Sequence, residues 1–125
     1  MAYLNVNAQE INKRNVFSEG KSFDSLTVAF EGDGNDFGAV LSHCERDDKY
    51  LVLLYNEGDE SETVTVKGGN ALQGGKDMTF ALQGGSYTLF QPDSGRFKNV
   101  SGEYKGKVVF AAASADVRIA VFRLP

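Results

Sequence analysis

The sequence predicts an all-β domain: an antiparallel sandwich of the jelly-roll or immunoglobulin-like kind, with about nine short strands and an N-terminal arm. Three observations predict it. Apolar and polar residues alternate over short stretches, the period of a strand with one wet face. The 14 glycines far outnumber the 2 prolines, as in a chain of many tight turns and few rigid linkers. Tyr50-Leu51-Val52-Leu53-Leu54-Tyr55 is apolar without a break and flanked by charged turn residues, which fits a central strand covered on both faces. One side of that strand is expected on the core, the other under a loop, an arm or a partner subunit.

Taken in order, residues 1–24 read as an arm and residues 25–125 as the sandwich. In the arm, Leu4 and Val6 alternate with asparagines as in a short strand. Asn7 followed by Glu10 is a weak capping box, so residues 8–13 are expected to make one or two helical turns. Lys13, Arg14 and Lys21 make the arm basic. Leu26, Val28 and Phe30 open the first strand of the sandwich. Glu31-Gly32-Asp33-Gly34-Asn35-Asp36 is a turn, and residues 38–44 put Val40 and Ser42 on one face, Leu41 and His43 on the other. After the central strand comes an acidic connection over residues 56–62. Val64 and Val66 then point inward from the next strand.

Ala71-Leu72-Gln73-Gly74-Gly75 recurs as Ala81-Leu82-Gln83-Gly84-Gly85. This echo is too short for a solenoid and reads as two similar turns beside adjacent strands. Met78, Phe80 and Leu82 mark one strand, Tyr87 and Leu89 another. Pro92-Asp93-Ser94-Gly95 is a turn, and residues 96–100 read as a short strand with Arg96 and Lys98 on one face. Val108 and Phe110 mark the penultimate strand. Val117, Ile119 and Val121 line the last, with Arg118, Ala120 and Phe122 opposite.

Composition excludes several function classes. A net charge of −4 disfavours non-specific nucleic-acid binding. No apolar run approaches the ~20 residues of a membrane helix, and the first residues lack the pattern of a signal peptide. The lone Cys44 forms no internal disulfide, which suits a reducing compartment. His43 is the only histidine; on a strand it faces away from Cys44, so no nucleophile–base pair is expected. The residues 31–36 resemble the start of a calcium loop, but Asp36 and Ser42 stand where an EF-hand needs glycine and glutamate. The expectation is no enzyme, no metal and no cofactor. The five tyrosines, Tyr3, Tyr50, Tyr55, Tyr87 and Tyr104, leave a carbohydrate-binding module open as an alternative.

At Ser94-Gly95-Arg96-Phe97-Lys98-Asn99-Val100-Ser101-Gly102 the chain resembles small β proteins encoded beside the major capsid protein in tailed-phage genomes, regarded as head decoration or auxiliary capsid proteins. Met1-Ala2-Tyr3-Leu4-Asn5-Val6-Asn7 and Ile11-Asn12-Lys13 carry the same likeness. So do Val64-Thr65-Val66-Lys67-Gly68-Gly69-Asn70, Asp77-Met78-Thr79-Phe80, Gly106-Lys107-Val108-Val109 and residues 115–125. Residues 21–62 carry none of it. The resemblance implies a structural protein that dresses and stabilises the capsid exterior, folded in the host cytoplasm and partnered by the major capsid protein. A tail or baseplate component is the other virion role that fits. The candidate docking residues are Leu4, Val6, Ile11, Lys13 and Arg14 of the arm, with Arg96 and Lys98. The two-faced central strand adds the expectation of a homo-oligomer, with a trimer favoured.

Overall fold

A computed structural model describes residues 3–10, 26–43, 49–70 and 75–124. In chain order the strands are β1 (Leu4–Val6), β2 (Ala8–Glu10), β3 (Val28–Ala29), β4 (Glu31–Asp33), β5 (Asp36–Ser42) and β6 (Tyr50–Asn56). They continue with β7 (Glu62–Val66), β8 (Met78–Leu82), β9 (Tyr87–Phe90), β10 (Lys107–Ala112) and β11 (Val117–Arg123). A one-turn helix, α1 (Ser94–Phe97), lies between β9 and β10. Sheet I runs β1-β5-β10-β7-β8, with β4 also on β5; sheet II runs β2-β11-β6-β9, with β3 also on β11.

The core lies between the sheets and follows the period of two. Tyr50, Val52 and Leu54 of β6 and Val117, Ile119 and Val121 of β11 enter it from sheet II. Val64 and Val66 of β7 and Val108, Phe110 and Ala112 of β10 enter from sheet I. Phe90 of β9 sits between Phe80 and Phe110 of the other sheet, ring centroids 5.3 and 6.0 Å away, so an aromatic chain ties the layers together. The expectation of an all-β chain holds, with two differences.

The first is that both sheets are mixed. β1 pairs parallel with β5 (Leu4 opposite Ala39), and β2 pairs parallel with β11 (Val121 opposite Ala8). Asn7 is the only residue between them, so this segment leaves the edge of one sheet and joins the edge of the other. Residues 8–10 are therefore strand where helical turns were expected. Pairing along β11 satisfies their backbone and packs Ala8 against the core, which outweighs a weak local capping signal.

The second difference is at residues 96–100, expected as strand. Residues 94–97 are α1. Asp93 caps it: its side chain accepts from the Gly95 N–H at 2.9 Å, and the amide of Phe97 donates to the Asp93 carbonyl at 2.9 Å. Burial of Phe97 in the core rewards the turn. Among the described residues no helix is long and apolar enough to cross a membrane.

Candidate functional site

The sequence's chemical candidates fall in different parts of the chain. His43 lies past the end of β5, fully buried, its ring 4.8 Å from that of Tyr50; Cys44 is outside the described residues. The calcium-like stretch is a two-residue β-hairpin. Asp33 pairs with Asp36, and Gly34 takes φ +60° at the first central position, the II′ pattern that matches strand twist. Among the described residues no group of three or more His, Cys, Asp or Glu side chains converges to hold a metal ion.

Of the proposed docking residues, Leu4, Val6, Arg96 and Lys98 are among the described ones. Leu4 and Val6 pack against the core from β1. Ile11, Lys13 and Arg14 lie outside the described residues. Arg96 and Lys98 do not share a strand face, because Arg96 is in α1 and Lys98 caps its end. The Arg96 guanidinium lies 4.8 Å from the centroid of the Phe97 ring, and its Nε donates to the Lys76 carbonyl at 3.3 Å. That side chain is a brace between α1 and the start of β8 rather than a free surface charge.

Two surfaces are built by strand register. On the outer face of sheet I a cleft of about 420 Å³ is lined by Tyr3, Asn5, Asp36 and Val40, closed by Glu103, Tyr104 and Lys107. The alternation of β5 and β10 accounts for it: Asp36, Gly38 and Val40 of β5 share the outer face with Lys107 of β10, opposite the core residues Ala39 and Leu41. Tyr3 lies across Gly38. A Cβ on Gly38 would stand 2.6 Å from two carbons of the Tyr3 ring, so only glycine admits the ring there. The Tyr3 hydroxyl donates to Asp36 Oδ1. Burial, this hydrogen bond and the Asp36 charge push the phenol pKa up to about 12. A second hollow of about 370 Å³, lined by Thr63, Thr65, Lys67 and Asp77, meets the cleft at Asp36.

The outer face of sheet II differs in kind. Phe122 pairs with Leu51, Ala120 with Leu53, and Leu53 in turn with Leu89. Arg118 pairs with Tyr55, which pairs with Tyr87. Leu53 and Ala120 are buried, while Tyr87 and Leu89 of edge strand β9 are 51% and 49% exposed. Arg118 closes one end, its guanidinium hydrogen-bonded to the Thr27 hydroxyl and carbonyl at 2.9 and 2.8 Å and 3.6 Å from Glu57.

Neither surface was read from the sequence as a unit. The tyrosines were visible one by one. Tyr3 meets Asp36 and Tyr104 only through the parallel pairing of β1 with β5, and no local pattern announces that pairing. Comparison with protein-family models, with curated proteins and with solved structures gives no match to this chain.

Proposed function

We propose that the chain is a non-enzymatic structural protein of a tailed-phage virion. Its sandwich, of the immunoglobulin-like or jelly-roll kind, decorates the capsid exterior as a homo-oligomer, most simply a trimer. The observation that carries the reading is the outer face of sheet II. Tyr87 and Leu89 are about half exposed on it, beside the partly buried Leu51, Tyr55 and Phe122, and exposed apolar side chains grouped in this way are typical of an interface. The sequence resemblance supplies the partner, the major capsid protein. In this proposal copies meet through sheet II, and the basic stretch with Ile11, Lys13 and Arg14 reaches the shell. Leu4 and Val6 are left out of the docking set because their side chains pack on the core. An oligomer on a repeating shell multiplies contacts that are weak singly.

The test is co-sedimentation of the purified protein with capsids that lack it. Deleting residues 2–14 would remove a strand from each sheet, so the informative variant is Lys13→Glu with Arg14→Glu. Saturable binding that falls in this variant, most at low salt, is expected. Absence of wild-type binding would defeat the proposal.

A further inference from the structure

We propose that the cleft on the outer face of sheet I is a sugar-binding site that seats one neutral saccharide unit of an oligosaccharide. Three features carry it. First, the cleft holds two tyrosines, Tyr3 and Tyr104, and its volume of about 420 Å³ is that of a small-molecule site. Second, Tyr3 is held in advance of any ligand. Its ring rests on the bare backbone of Gly38 and its hydroxyl is tied to Asp36, so binding costs it little rotamer freedom. Third, the remaining groups suit a polyol. Asp36 and Glu103 accept from vicinal hydroxyls, Lys107 donates, and the Asn5 amide does both.

Two carboxylates against one ammonium group disfavour an anionic ligand. Rings beside acceptors suit the apolar C–H face and the hydroxyl rim of a sugar together. The phenol of Tyr3 stays protonated up to about pH 12, so it remains tied to Asp36 across the working range. The second hollow, reached past Asp36 and bordered by Thr63 and Thr65, has room for a further sugar unit. The site is independent of the sheet II face and does not require the capsid role.

The experiment is an amide NMR titration of the full chain with glucose, galactose, mannose, rhamnose and N-acetylglucosamine, with glucuronate as the anionic control. At least one neutral sugar should give saturable shifts confined to residues 3–5, 36–40 and 103–107. Its trisaccharide should bind more tightly, and glucuronate more weakly. Tyr104→Ala should weaken binding about tenfold, the loss expected for one aromatic contact, with melting temperature and oligomeric state unchanged. Glu103→Gln is the second variant and should weaken binding where Tyr104→Ala fails to fold. No saturable shift with any neutral sugar, shifts centred elsewhere, or full affinity in the folded variants would overturn the assignment.

Discussion

Asn56→Ala is expected to destabilise the protein by about 2–5 kcal/mol, although the residue is small and sits at the end of β6. Asn56 is fully buried. Its Nδ2 donates to the Glu60 carbonyl at 2.6 Å and the Leu82 carbonyl at 3.0 Å, and its Oδ1 accepts from the Gly58 N–H at 3.0 Å. One side chain thus folds the connection after β6 and fastens it to the end of β8. Alanine keeps the backbone bonds of residue 56 but removes all three of these. The Leu82 bond is buried, so its orphaned carbonyl costs about 1–3 kcal/mol. The other two bonds are part-buried, and water partly replaces them at roughly 0.5–1 kcal/mol each. Urea unfolding should show a midpoint lowered by about 1–2 M at unchanged slope. Asn56→Asp should be worse at neutral pH, because a carboxylate would face two carbonyl oxygens. Burial raises its folded pKa, so stability should return as pH falls and the acid regains a donor. A loss below about 0.5 kcal/mol in Asn56→Ala would refute the assignment of these bonds as structural.

Three further outcomes are expected. In alkaline titration the raised Tyr3 pKa makes the folded state hold its proton longer than the unfolded chain, so stability is complete below the ordinary phenol pKa of 10.0 and falls as pH rises toward about 12; Tyr3→Phe should lack that component when unfolding is followed by circular dichroism against pH. Phe97→Ala should cost about 3–5 kcal/mol by urea unfolding, because its buried ring anchors α1 to the core. On the proposal that copies join through sheet II, Leu89→Asp should give smaller species in sedimentation velocity while circular dichroism still reports a folded chain, because Leu89 is half exposed on edge strand β9 and absent from the core cluster.

Much of the fold was legible in the sequence because period-two alternation depends on neighbours a few residues apart. β6, β7, β10 and β11 lie where Tyr50 to Tyr55, Val64, Val66, Val108, Phe110 and Val117 to Val121 placed them. Local pattern failed where tertiary pairing or a cap decided. The parallel pairing of β1 and β2 depends on partners more than thirty residues away, and Asn7 gives no local sign of the change of sheet. Arg96 to Val100 alternates like a strand, yet the Asp93 cap and the burial of Phe97 make its start a helical turn. The candidate cleft needs β1 beside β5 and residues 103–104 folded over β10, so it became visible only with register. Gly38, which admits Tyr3, was read as the first residue of a strand and does lie in one, but nothing local in the sequence shows that a ring rests against it.

The central claim is that this chain coats a capsid, with copies joined through sheet II. A cryo-EM map of tailed-phage heads assembled in the presence of the protein tests that claim most directly. The account predicts repeated density on the outer surface of the head, with the faces bearing Tyr87 and Leu89 turned toward one another within each cluster and the Tyr3 cleft open to solvent. Isolated copies with that face bare, density in the tail or baseplate instead of the head, or no density for the chain would contradict it.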